Sequence, residues 1–220
     1  MTPTHLKPLL YRTFISALFV MLLYGLCYFF LDRAIILWLS HRPDWQRIAT
    51  EISTFMKPKI LGTLACGIII IFVITYKRAV IKADVIKKGL TFSLSVLLAF
   101  SVTSVLKFIL ARYRPELFLS HHLYGFHFFS AKHAYNSTPS GHATGAFSVC
   151  YTLAMLIHRK PITYLLLTIA CIVGLLRIIT LHHYPSDVIF GAYIGILSFY
   201  YAQILLNCVQ AKTSLLANKT

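Results

Sequence analysis

Acidic residues are scarce in this chain. There are 6 Asp+Glu against 21 Lys+Arg in 220 residues, a formal net charge of +15, and only 12% of residues are charged at all. A soluble domain carries about a quarter of its residues charged, so the shortage argues against a water-soluble globular fold. Glycine (10) and proline (8) never cluster into a Gly/Ser-rich linker, and no internal repeat breaks the chain, so residues 1–220 read as one domain. The five cysteines, Cys27, Cys66, Cys150, Cys171 and Cys208, lie singly in apolar runs with no C-x-x-C spacing. That excludes a disulfide framework and a cysteine zinc site and leaves small packing residues. Apolar residues, by contrast, abound: 58% are hydrophobic, and the mean hydropathy is +0.73. So much apolar surface excludes disorder, while the positive surplus points to an anionic partner such as nucleic acid, anionic lipid or a phosphorylated substrate.

A bilayer core of about 30 Å needs roughly 20 apolar residues per helix. Runs of that kind fall at about 13–31, 60–76, 89–110, 141–157, 162–181 and 187–207. The expected fold is therefore all-α, a polytopic membrane protein of six transmembrane helices. The first run follows Lys7 and Arg12 but ends at Asp32-Arg33 with no small-residue cleavage site, so it reads as an uncleaved span. Trp38 and Trp45 interleave with Arg33, Arg42 and Arg47 in a segment suited to the membrane interface. With both termini cytoplasmic, the inner segments hold 11 bases and 1 acid and the outer ones 10 bases and 5 acids. The 77–88 loop, with Lys77, Arg78, Lys82, Lys87 and Lys88, carries most of that bias. The bases are dispersed among the spans and form no surface stripe, so nucleic acid is not an expected partner.

Ionisable residues at span ends are costly and mark function. Three clusters qualify. Lys107 and Arg114, seven apart, stack on one face at the end of the third span, and Pro115 turns the chain out of the helix. Pro139-Ser140-Gly141-His142 opens the fourth: Ser140 is a natural N-cap, Gly141 lets a ligand approach the backbone, and the helix terminus attracts an anion that His142 could meet. Arg177, His182, His183 and Asp187 join the fifth span to the sixth, where a carboxylate can orient one of the two imidazoles. Each alone has a plainer reading, as a snorkelling anchor, an ordinary cap or a capping Asp. In a six-span topology, however, all three reach the same, outer face.

At these residues the sequence resembles the phosphatidic acid phosphatase type 2 (PAP2) superfamily of membrane lipid phosphatases, whose pattern is K-x6-R-P, then P-S-G-H, then S-R-x5-H-x3-D. Here it reads KFILARYRP, PSGH and LRIITLHHYPSD, with Leu176 where the family usually has Ser. The resemblance implies a phosphohydrolase without metal or other cofactor. It implies that Lys107, Arg114, Ser140, Gly141 and Arg177 bind phosphate and that His183, not His182, is the nucleophile that forms a phosphohistidine. Asp187 is then the residue that orients His183, and His142 the general acid and base. The expected substrate is a phosphomonoester or pyrophosphate of a membrane lipid: undecaprenyl pyrophosphate, phosphatidylglycerol phosphate, phosphatidate or a lipid A phosphate. The expected location is a bacterial inner membrane with the site facing the periplasm or exterior; the compact length suggests the bacterial branch by analogy.

The 111–138 loop holds His121, His122, His127 and His133 among many aromatics but no H-E-x-x-H spacing, so headgroup selection is a better expectation for it than metal binding. It loosely resembles the lipid A phosphatase branch. Asn136-Ser137-Thr138 matches a glycosylation sequon by chance of position against PSGH. The alternatives are a lipid phosphotransferase of the same family and a non-enzymatic lipid transporter or flippase. The latter lacks support from paired, Gly/Pro-broken helices, and a vanadate-type haloperoxidase is disfavoured by the six expected spans.

Overall fold

The computed structural model describes residues 6–53, 67 and 83–217. Among them every regular element is helical, apart from one isolated bridge between Arg112 and Phe126. Helix α1 (Leu6–Leu26) continues through a π-helical turn (Cys27–Leu31) into α2 (Asp32–Ser40). Helix α3 (Pro43–Ser53) follows, then α4 (Ala83–Leu110), α5 (Pro115–His121), a 3-10 turn (His133–Tyr135), α6 (Gly141–Ile157), α7 (Lys160–Ile179) and α8 (Pro185–Ala217).

The helix ends follow local chemistry. Pro43 and Pro115 open α3 and α5, where a missing N–H costs nothing. Ser140 caps α6 by accepting from the Ala143 amide at 3.5 Å. His122 and His158, with φ of 56° and 55°, end α5 and α6 in the left-handed conformation.

Four helices are long and apolar enough to cross a membrane: Lys7–Ser40, Asp84–Leu110, Lys160–Ile179 and Pro185–Val209. They contain the expected spans 13–31, 89–110 and 187–207 and nearly all of 162–181. The expected fourth span is the shorter α6, whose 17 residues rise about 25 Å. The expected second span, 60–76, lies outside the described residues. Among the described residues four helices are long enough to span and one shorter apolar helix joins them, with the remaining run of the expected six outside those residues. The first helix also runs further than expected, because the π turn carries it on without a break to Ser40.

Helix α6 is central, packed against α7, α8 and α4, while α8 also meets α4 and α1. Lipid supplies no hydrophobic drive between helices, so close approach and hydrogen bonds must hold them. At Gly195 a Cβ would lie 2.6 Å from the Thr144 carbonyl and 2.8 Å from the Ser148 nitrogen, so only glycine lets α8 come this near α6. Beside it Ser95, Ser148 and Ser198 bond one another at 3.0–3.2 Å, and Thr152 donates to Ser95 at 2.9 Å, tying α4, α6 and α8 together. In the Trp38–Trp45 segment the rings meet at 5.5 Å, and Arg42 lies 4.8 Å and 5.6 Å from their centroids.

Candidate active site

Lys107 stands in the last turn of α4, and its ammonium donates to the Asn136 carbonyl at 2.5 Å. Ala111 takes a left-handed φ of 42°, ending the helix and releasing residues 112–114 as an extended segment. The 125–137 chain straps that segment with backbone bonds: Tyr113 N–H to Gly125, Arg114 N–H to Ala134 and Ser137 N–H to the Arg112 carbonyl, each 3.1 Å. In extended backbone, alternate side chains face opposite ways, so Arg112 and Arg114 diverge from Tyr113. Arg114 is buried, and burial lowers its pKa while Glu116 and Asp187 act the other way.

From the second cluster, Ser140 is wholly buried; its oxygen accepts the helical cap bond, and its own N–H donates to the Asp187 carbonyl at 3.0 Å. A Cβ on Gly141 would sit 3.8 Å from Lys107 Cε, so PSGH lies directly against the lysine. His142 is half-buried in the first turn of α6, within the fields of Arg177, His182, Lys107 and Arg114.

From the third cluster, Arg177 is buried in the last turn of α7, and its carbonyl accepts the N–H groups of both His182 and His183 at 3.2 Å. Its neighbour Leu176 is buried, with its carbonyl accepting from Thr180; no hydroxyl reaches the site from that position. His182 is anchored by Nδ1 on the Thr180 carbonyl at 2.8 Å, whereas His183 is buried with its Nδ1 unbonded. Burial pushes the His183 imidazole down to about 3; Asp187 opposes this, and the Lys107 and Arg114 cations add to it. The ring is therefore neutral at ordinary pH.

The three motifs thus close on one buried place. Among the described residues neither Lys107, Arg114 nor Arg177 has a carboxylate within ion-pair distance. Buried or half-buried cations left without a counter-ion are costly, and an anion brought into their midst would relieve that cost.

Asp187 is placed differently from the sequence expectation. Its Oδ2 stands 3.7 Å from His183 Nδ1, next to the ring but beyond a hydrogen bond. The carboxylate is occupied by Arg112 Nη1 at 2.6 Å, Ser137 Oγ at 2.5 Å, the Tyr184 N–H at 2.9 Å and the Thr138 hydroxyl. Sequence reasoning passed over Arg112, Ser137 and Thr138. The signal available was a second arginine inside the ARYR stretch. The same contacts bury Ser137 and Thr138 completely.

The loop histidines are spread over different neighbours. His121 meets Ser120 at 2.7 Å, and His127 packs on Tyr135 at 4.6 Å. His133 is held below its ordinary pKa chiefly by Arg114, then by burial, which places it at the rim of the cation cluster. Phe128 and Phe129 are exposed, their N–H groups donating to the Leu110 and Ile109 carbonyls.

A family model described as the PAP2 superfamily matches residues 88–213, more than half of the 220-residue chain. The chain is 36% identical over 105 residues to the lipid A 1-phosphatase of Rhizobium johnstonii, covering 44% of this chain and 41% of that protein. It is 37% identical over 98 residues to the lipid A 1-phosphatase of Rhizobium etli, covering 43% and 40%. The matching segment therefore spans well under half the length of these curated relatives. Two solved structures share the fold at 22% identity. Aquifex aeolicus LpxE has a TM-score of 0.51 over 79% of this chain and 95% of its own. The PAP2 type phosphatidylglycerolphosphate phosphatase of Bacillus subtilis has a TM-score of 0.57 over 90% and 98%. The family match begins after α1, α2 and α3, so Asp32 and the residues around it precede it.

Proposed function

The chain belongs to the PAP2 superfamily, and we propose that it is an integral-membrane lipid phosphatase that works through a phosphohistidine. The observation that carries this reading is the set of three cations, Lys107, Arg114 and Arg177, without carboxylate partners among the described residues, around a buried neutral imidazole. A phosphate entering there meets forked guanidinium donors, an ammonium and the N-terminus of α6 at Ser140 and Gly141.

His183 Nδ1 is turned to Asp187, so Nε2 is the nitrogen that attacks phosphorus. The N–P bond forms as the P–O bond to the lipid breaks, and His142, protonated as the negative charge of the bound phosphate offsets the surrounding cations, gives that proton to the departing oxygen and becomes neutral. His142 then takes a proton from water, the hydroxide cleaves the N–P bond, inorganic phosphate leaves and His183 returns neutral. Fixed cations supply charge stabilisation where phosphoryl transfer needs it. No metal or cofactor enters these steps.

For substrate, the relatives named as lipid A 1-phosphatases make a lipid A phosphate the first candidate. Undecaprenyl pyrophosphate, phosphatidylglycerol phosphate and phosphatidate stand behind it. The proposed setting is a bacterial inner membrane, with cytoplasmic termini and the site on the outer side, the orientation favoured by the basic 77–88 segment. The test is phosphate release by the purified chain in EDTA from each of the four lipids, with His183→Ala as control. Release from none of them, or equal release by His183→Ala, would overturn the proposal; phosphate appearing on an acceptor lipid instead of water would make the chain a phosphotransferase.

A further inference from the structure

Asp32 opens α2 directly after the π-helical turn and is wholly buried. Tyr24, Tyr28 and Asp32 follow at intervals of four, which places them on one face of the first helix. That face meets Arg112, also wholly buried. Asp32 Oδ2 accepts from Arg112 Nη2 at 2.7 Å, and the Tyr24 hydroxyl accepts from Nη1 at 3.2 Å. The guanidinium carbon lies 4.9 Å from the Tyr28 ring centroid, 5.3 Å from Tyr124 and 4.3 Å from Tyr184.

The other face of the guanidinium reaches the start of α8. Nη1 donates to Asp187 Oδ1 at 2.6 Å and to Ser186 Oγ at 2.7 Å. Asp32 reaches the same place independently, accepting from the Ser186 N–H at 3.1 Å and the Ser186 hydroxyl at 2.5 Å. Two carboxylates and one guanidinium sum to −1, so Arg112 cancels only part of the negative charge beside His183.

We infer that Asp32 and Arg112 are positioning residues, a clamp through which the first helix holds Asp187 and the Tyr184–Asp187 turn in register with His183. The inference rests on the phosphatase reading above. Asp187 cannot rotate towards or away from the imidazole without breaking the Arg112 bond, and Arg112 cannot follow it without leaving Asp32. The second carboxylate also keeps Arg112 from drawing off all of the Asp187 charge that favours a cationic ring when His183 takes up phosphorus. Neither clamp residue belongs to the cation cluster at the phosphate position, so the clamp acts on the chemical step and leaves anion binding alone.

The test uses the full-length chain in detergent micelles, wild type against Asp32→Asn and Asp32→Glu. Phosphate release is measured across substrate concentration, together with competitive inhibition by inorganic phosphate. The expected result is a fall in kcat of about 10-fold or more, the scale seen when residues supporting a reactive group are removed, with KM and phosphate inhibition within about 2-fold of wild type. A merely structural role would move phosphate inhibition together with kcat. Asp32→Glu keeps the charge and shifts the carboxylate by one methylene, so it covers the case in which Asp32→Asn does not fold. Either folded variant keeping full kcat, or losing phosphate inhibition along with kcat, overturns the clamp. A wild-type chain that releases no phosphate overturns the phosphatase reading and the clamp with it; an active wild type with equally active variants overturns the clamp alone.

Discussion

Arg112 and Arg114 leave the end of α4 two residues apart and meet opposite electrostatic fates. Arg112 is locked between Asp32 at 2.7 Å and Asp187 at 2.6 Å, while Arg114 has no carboxylate within ion-pair distance among the described residues. Burial opposes the Arg112 charge, and Asp187 and Asp32 more than reverse that, holding its pKa well above the usual guanidinium range. In the proposed reading one arginine braces the site and the other meets the phosphate.

Replacing each arginine by leucine separates the two roles. Arg112→Leu leaves two buried carboxylates without their cation, a loss of about 3–5 kcal/mol, and is expected to lower the thermal unfolding midpoint of the purified protein sharply. Arg114→Leu, which breaks no ion pair, is expected to leave that midpoint close to wild type. Equal midpoints for wild type and Arg112→Leu would show the network to be energetically idle.

Arg114→Lys keeps the charge but loses the forked geometry. Weaker inhibition by inorganic phosphate is expected, by about 10-fold for the loss of one charged hydrogen bond worth about 1.5–3 kcal/mol. Inhibition curves for the two proteins that superimpose would remove Arg114 from the phosphate grip.

His183→Ala is expected to cut turnover by about 1,000-fold or more, since loss of a nucleophile leaves only binding and fixed charge, with unfolding unchanged or improved. Trapping after acid-free quench should find phosphate on the wild-type chain and none on the variant. A phosphorylated His183→Ala chain would point to a different nucleophile.

The buried histidine also sets a pH dependence of stability. His183 has its folded pKa depressed from 6.5 to about 3, so below about pH 6.5 the unfolded chain binds a proton that the folded chain refuses, and stability falls as pH drops towards 3. His182 is lowered in the same direction, by burial and then Arg177, and adds to the slope. Unfolding midpoints at pH 7 and pH 5 should therefore diverge more in wild type than in His183→Asn. An equal pH response in both would refute the assignment.

Gly195→Ala should loosen the bundle, because the new Cβ meets backbone of Thr144 and Ser148 at 2.6 and 2.8 Å and overpacking costs about 1–3 kcal/mol. Gly25→Ala has nothing within 4 Å and is expected to be neutral or slightly stabilising. Matched unfolding midpoints for the two variants would mean that α8 can shift away from α6 at little cost.

Much of the candidate site was legible because its parts are local. Lys107 and Arg114 flank one helix end, Ser140 to His142 begin another, and Arg177, His183 and Asp187 enclose a single turn, so short-range spacing suffices to align them. Which of the two histidines does the chemistry is not a matter of spacing alone: His182 is tied to Thr180, and His183 stands buried beside Asp187. The π turn that carries the first helix on to Ser40 was not legible, because a one-residue change in helical register leaves no mark in apolar composition.

Composition and spacing alone point to a bilayer and to an anionic ligand. With acids nearly absent and apolar runs long enough for a bilayer, the chain has to form helices whose backbone groups satisfy one another, and the few charges kept at their ends have to serve an anion or each other. Which charges pair with which follows from helix packing. Asp32 and Arg112 stand 80 residues apart, and Arg112 and Asp187 75. Their pairing depends on how the first helix lies across the start of α8, a long-range packing outcome that no local pattern encodes. That outcome pairs Arg112 with two carboxylates and engages Asp187, while among the described residues Lys107, Arg114 and Arg177 keep no carboxylate within ion-pair distance.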